Sequence, residues 1–223
     1  MTDPTLPPVH VFLVDDEVEV TDALAWLLES VHVESTAYSS PSEFLALMRN
    51  FDQPACAVVD LRMPEMSGLE LQRQLSEIGC SLPLIFLTAH GDVPAAVNAM
   101  QAGATDFVQK PFNPDRFLDS VRKACRVARE QHVLRQGRMA MQRQLDQLSN
   151  REVDVLRGLL DGRTSKEIAR KLAISPKTVD VHRANILRKM NVNTCAELVR
   201  SVNRHAVSLE AHGSAPAGGS PVK

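Results

Sequence analysis

The sequence predicts a doubly wound α/β domain on a five-stranded parallel sheet, joined through a helical linker to an all-helical domain. Three observations carry this reading. Val11–Val14, Ala57–Val59, Leu84–Leu87 and Phe107–Gln109 are short runs rich in β-branched or aromatic residues, separated by helix-length segments. That is the pattern of parallel strands linked by crossover helices. Each run ends on polar residues: Asp15 and Asp16, then Asp60, then Thr88, then Lys110 before Pro111. From residue 149 the apolar spacing is helical throughout.

Along the first domain, strands are predicted at 9–14, 32–37, 55–59, 82–87 and 105–109, and helices at 18–30, 41–50, 67–79, 93–101 and from 114 onward. Ser40-Pro41-Ser42-Glu43 offers a cap followed by proline in the first turn, and Asn113-Pro114-Asp115 does the same. Gly68 and Gly103 punctuate loops or helix ends. After Pro114 the chain meets no proline and only Gly137 before about residue 147. Phe117, Val121, Ala124 and Ala128 keep helical spacing; Leu134, Met141, Leu145 and Leu148 keep it in another phase. The last helix should therefore run on into an amphipathic linker. Its apolar face either packs on its own domain or forms a dimer seam, and the register is too short and broken for a coiled coil. Four further helices are predicted at 149–160, 165–172, 176–190 and 195–206, before a tail rich in Gly, Pro, Ser and Ala that is expected to be disordered. The expected organisation is a domain at 1–130, a linker at 131–147, a second domain at 148–210 and a tail at 211–223.

The net charge of −2 conceals a division. Residues 1–130 hold 9 Lys/Arg against 19 Asp/Glu, whereas residues 149–210 hold 12 against 7. The basic half is the candidate for nucleic acid. No apolar stretch approaches the ~20 residues that span a bilayer, and the first residues lack the basic and apolar regions of a signal peptide. A cytoplasmic location without membrane contact is expected. Cys56, Cys80, Cys125 and Cys195 show no paired zinc spacing and read as free thiols in the core.

In a parallel sheet the carboxyl ends of the strands share one edge, and ligands bind there. Three carboxylates, a hydroxyl and an ammonium should converge at that edge. Crowded carboxylates suit a hard cation with oxygen ligands such as Mg²⁺, and this set of groups can stabilise a phosphoryl group in flight. Phosphoryl transfer onto an aspartate is the chemistry these residue types support.

The stretch Val14-Asp15-Asp16-Glu17, the run Asp60 to Gly68 with Pro64 inside it, the pair Thr88-Ala89 and the run Lys110-Pro111-Phe112 resemble a bacterial response-regulator receiver, a CheY-like fold, over about residues 9–128. The resemblance implies that Asp60 takes phosphate from a sensor histidine kinase. It implies that Asp15, Asp16, Asp60 and the backbone carbonyl of Arg62 hold Mg²⁺, that Lys110 pairs with a phosphoryl oxygen, and that Thr88 bonds another. Phe107 stands where the family has a rotating switch aromatic, a role compatible with plain core packing. Lys110–Pro111 matches a peptide bond that is usually cis in receivers. His90 reads as a loop histidine near the site. An aspartate-dependent phosphatase would want a second acid two residues after the nucleophile, and Arg62 stands there instead.

Ser165–Leu172, a short turn, and the basic stretch 176–190 form a helix-turn-helix pattern with Ser175 as cap and Pro176 in the first turn. Val179, Ile186, Leu187 and Met190 give the second helix an inner face. Lys177, Thr178, Asp180, Val181, Arg183 and Ala184, with Arg188 and Lys189, are the candidate DNA contacts. From about 145 to 208 the chain resembles the LuxR-type helix-turn-helix, including Glu152 in its opening helix, with Ser149 before it in slightly varied spacing. Asp180, the run Val181–Asn185 and the stretch His90–Pro94 look FixJ-like. The resemblance is to FixJ/NarL response regulators, within them most to FixJ-type proteins. It implies a dimer on phosphorylation, binding to double-stranded promoter DNA, contact with RNA polymerase and, as is common among FixJ-like proteins, activation. A LuxR regulator that senses a small molecule is the competing reading. The phosphorylation anchors and the scarcity of aromatics for a ligand cage weigh against it.

Overall fold

The computed structural model describes residues 7–88 and 93–205; His90 and the tail 211–223 lie outside them. In chain order the elements are β1 (His10–Val14), α1 (Val18–Glu29), β2 (Ser35–Tyr38), α2 (Pro41–Met48), β3 (Ala55–Asp60), α3 (Gly68–Glu77), β4 (Leu84–Thr88), α4 (Val93–Gln101), β5 (Asp106–Gln109), α5 (Pro114–Leu145), α6 (Asn150–Leu160), α7 (Ser165–Leu172), α8 (Pro176–Lys189) and α9 (Cys195–His205). The chain divides into two compact units between Val133 and Leu134, within α5.

The first unit holds one parallel sheet in the order β2-β1-β3-β4-β5. Side chains alternate along each strand, so the two faces build two cores. Val11, Leu13, Cys56, Val58, Ile85, Leu87 and Val108 pack with Leu24 and Leu28 of α1 and Phe117, Val121 and Ala124 of α5. On the other face Phe12, Val14, Ala57, Val59 and Phe86 pack with Phe44 of α2, Leu71 and Leu75 of α3, and Ala99 of α4. Because both faces are covered there, β1, β3 and β4 read as nearly continuous apolar runs.

β2 and β4 begin two or three residues later than the sequence pattern suggests. β2 starts at Ser35 because residues 31–33 are used to end α1: the amide of His32 bonds Glu29, that of Val33 bonds Leu28, and His32 adopts φ 58°. β4 starts after Pro83, which has no amide to donate, although its carbonyl accepts from Ala57. The caps on α2 and α3 come from Ser40 and Ser67, whose hydroxyls accept from the amides of Glu43 and Glu70.

The second unit is all helical. Capping boxes pair Ser149 with Glu152 and Thr164 with Glu167, and Ser175 caps α8 ahead of Pro176. Its core gathers Leu145, Val155, Leu156, Ile168, Val179, Ile186 and Leu198. α7 ends on Ala173 at φ 54°, and that left-handed residue turns the chain into α8.

Candidate functional site

The sheet order places β1 and β3 side by side, with β2 on one side and β4 on the other. The chain reverses direction of progress there, and that reversal opens the crevice at the carboxyl edge. Asp60 ends β3, and Asp15 and Asp16 follow β1. Asp15 is 1% exposed, Asp60 is buried and Asp16 is exposed. From the end of β5, Lys110 extends its ammonium between the two buried acids, donating to Asp15 Oδ2 at 2.9 Å and to Asp60 Oδ1 at 2.8 Å. The amide of Glu17 donates to Asp15 Oδ1 at 3.0 Å, and that of Arg62 to Asp60 Oδ2 at 2.5 Å. Burial pushes the Lys110 ammonium toward losing its proton, but the hydrogen bonds and charges of Asp15 and Asp60 outweigh this and raise its pKa. Lys110 therefore stays charged throughout the neutral range, and its pairing is lost only as pH rises above the ordinary lysine value of about 10.4.

Thr88, at the end of β4, is 3% exposed, and its carbonyl accepts the amide of Lys110 at 2.7 Å. The Lys110–Pro111 peptide is cis. Phe107 leaves 39% of its surface in solvent, because on β5 the buried positions are Asp106 and Val108. Core packing is thus not its main role in this structure.

Among the described residues, no three His, Cys, Asp or Glu side chains come together as a ready metal cage. The donor chemistry nevertheless fits a hard dication. Asp15, Asp16 and Asp60 carry three negative charges, Lys110 offsets one, and all the candidate ligands, including the Arg62 carbonyl, are oxygens.

On α8, Lys177, Thr178, Asp180, Val181, Ala184 and Arg188 are exposed, with Val181 at 55%. Several candidates are engaged within their own unit, Lys189 and Arg183 each through two hydrogen bonds. Lys189 donates to Glu152 at 2.7 Å and to the Gln147 carbonyl at 3.0 Å. Arg183 donates to Ser165 Oγ at 2.7 Å and to Cys195 Sγ at 3.3 Å, and lies 3.5 Å from Asp180. Ser165 in turn donates to Asp180 at 2.9 Å. One hydroxyl therefore links the start of α7 to Asp180 and Arg183 of α8. The sequence carried no signal for this role of Ser165, which depends on tertiary proximity. Arg163, Arg170 and Lys171 line a further basic hollow shared with Glu167. These cations were visible in the charge count but lie outside the helix singled out from it.

A receiver sheet with an acid–lysine crevice, in one chain with a capped helix-turn-helix, defines a response regulator with a DNA-binding output. Residues 11–122 match the response regulator receiver domain family, and residues 146–202 match the bacterial regulatory proteins of the luxR family. The chain belongs to the FixJ-like two-component response regulators. It is 42% identical to Response regulator protein TodT of Pseudomonas putida over 200 residues, 90% of this chain and 88% of that one. It is also 42% identical to Transcriptional regulatory protein FixJ of Azorhizobium caulinodans, over 86% of this chain and 90% of that one. The solved structure of Response Regulator StyR superposes with a TM-score of 0.75 at 40% identity, over 88% of this chain and 99% of StyR. The protein is a transcriptional response regulator with a LuxR-type DNA-binding domain, and not a turnover enzyme. No described helix is long and apolar enough to cross a membrane.

Proposed function

We propose that the receiver, residues 1–130, accepts a phosphoryl group on Asp60 from a sensor histidine kinase and thereby controls promoter binding by residues 148–210. The observation that carries this reading is the Lys110 ammonium held between the buried carboxylates of Asp15 and Asp60. An Asp60 oxygen attacks phosphorus, the P–N bond of the phosphohistidine breaks, and the imidazole leaves. No base is required, because an aspartate is ionised at neutral pH. Lys110 and Thr88 bond phosphoryl oxygens, so positioning and charge compensation make up most of the catalysis. Asp15, Asp16, Asp60 and the Arg62 carbonyl would hold Mg²⁺, which would supply positive charge against the incoming phosphate.

Phosphate on Asp60 draws Thr88 inward, and Phe107, exposed in this structure, moves into the space released. The α4–β5 face is remodelled and two copies associate. The dimer reads an inverted repeat of double-stranded DNA through α8. Lys177 and Arg188 contact phosphates. Thr178, Asp180, Val181 and Ala184 face base edges, and Arg183 and Lys189 support them from their partners in the domain. The output is activation, with RNA polymerase as a partner. Asp60→Asn keeps the shape of the site and removes the nucleophile. Labelling by a small-molecule phosphodonor with Mg²⁺ should then disappear while the circular dichroism stays that of the native protein. Full labelling of the folded variant would refute the assignment.

A further inference from the structure

Cys56 lies on β3 and Cys125 on α5, 69 residues apart in sequence, yet their sulfurs are 3.9 Å apart inside the core between the sheet and α1/α5. Cys56 has no exposed surface, and Cys125 keeps 8%. The other two thiols belong elsewhere: Cys80 borders the opposite core, and Cys195 lies in the second unit. We propose that Cys56 and Cys125 form an oxidisable dithiol site, converted by hydroperoxide into a disulfide that ties α5 to the strand carrying Asp60.

The two thiols divide the chemistry between them. The hydrogen bond shared with Cys56 lowers the pKa of the Cys125 thiol, burial opposes this, and the charge of Arg129, one turn further along α5, adds to the lowering. The same hydrogen bond, together with burial, pushes the Cys56 thiol up. Cys125 is the more exposed of the two, and it is the attacking group. Its sulfur displaces water from hydrogen peroxide with the uptake of one proton, giving the sulfenic acid. The Cys56 sulfur then attacks the sulfenic sulfur, and a second water leaves with the Cys56 proton. Two thiols and one peroxide become one disulfide and two waters, and two electrons pass from sulfur to oxygen. Closing the gap from 3.9 Å to a bond of about 2.05 Å needs side-chain rotation and a small shift of the middle of α5 toward β3.

The test treats the full-length native protein with graded hydrogen peroxide, blocks remaining thiols with N-ethylmaleimide, and digests with trypsin without reductant. The expected product joins peptide 50–62 to peptide 124–126, two hydrogens lighter than their sum and separated by dithiothreitol. Free thiols should fall from four to two. In Cys56→Ser, Cys125 should stop at the sulfenic acid and be trapped by dimedone. The proposal is overturned if the linked peptide is missing at peroxide doses that oxidise Cys80 or Cys195. It is equally overturned if the linked peptide forms only in urea, or if Cys125 of folded Cys56→Ser gives no dimedone adduct.

Discussion

At the scale of single residues, the most informative contacts are those that commit a charged group to one partner. Lys110 bridges two acids across 50 and 95 residues of sequence, which no local pattern specifies. In the second unit, Ser165 Oγ bonds both Asp180 and Arg183. Asp180 remains well exposed, so the pair by itself is worth at most about 1 kcal/mol. Its larger effect should be on where Arg183 points. Ser165→Ala and Asp180→Ala should each weaken DNA binding, and the double variant should lose less than the sum of the two. A double-mutant cycle by fluorescence anisotropy measures this coupling, and strict additivity would show that the three groups act separately.

Helix placement depends on close approaches and on caps. A Cβ on Gly68 would lie 2.5 Å from the Asp60 carbonyl and 2.9 Å from the Phe86 ring, so the start of α3 reaches the strand that carries Asp60 only through glycine. Gly68→Ala should destabilise the first unit by about 1–3 kcal/mol, typical of overpacking, and slow labelling at Asp60. Chemical denaturation and phosphodonor kinetics would test both, and an unchanged midpoint with unchanged kinetics would show that α3 can retreat freely. In the second unit, the nearly buried Glu152 joins the α6 cap to Lys189 at the end of α8. Burial raises its pKa, but the bonds from Lys189 and from the amide and hydroxyl of Ser149 more than reverse this, leaving it lowered. The stability it contributes is therefore complete above the ordinary glutamate value of about 4.3 and is lost as pH falls through the lowered value. Wild type should unfold at a higher temperature than Glu152→Gln near pH 7, and the gap should narrow as pH falls below the ordinary glutamate value of about 4.3. A gap that stayed constant down to pH 3 would mean that the carboxylate charge contributes nothing.

For the whole molecule, the acidic receiver and the basic output region follow from charge counts of −10 over residues 1–130 and +5 over residues 149–210 (9 minus 19, and 12 minus 7). The basic half suits a DNA-binding domain, whose nucleic-acid partner is negatively charged. Phosphate can shift the association equilibrium only by interacting differently with the two receiver states. In the proposed mechanism, contacts from Thr88 and Lys110 to the phosphoryl group would supply that difference. Analytical ultracentrifugation should therefore show a larger dimer fraction with a stable phosphoryl mimic than without it, and Thr88→Ala should blunt the change. An equal monomer fraction in both states would rule out this route to activation.

The alternation of apolar runs with helix-length segments was enough to specify the parallel sheet, and the strand-end residues were enough to specify the acid, hydroxyl and lysine set. Strand-end position is a local property, and a parallel sheet brings all such ends to one edge whatever the packing details. The caps at Ser40 and Ser175 were legible for the same reason, since a cap reaches only three residues along the chain. Strand starts were less legible. The end of α1 consumed residues 31–33 through a left-handed His32, which the composition of those residues does not reveal. The outward turn of Phe107, the commitment of Lys189 to Glu152, the Ser165 link and the Cys56–Cys125 contact were decided only in three dimensions. So was the packing of Gly158 against Ile168, where a Cβ would lie 2.7 Å from the isoleucine side chain. Apart from the turn of Phe107, each joins residues that are not neighbours in sequence, and which ones meet depends on how helices pack on the sheet and on one another. Periodicity reports which face of an element is apolar, whereas packing selects the partner that face meets.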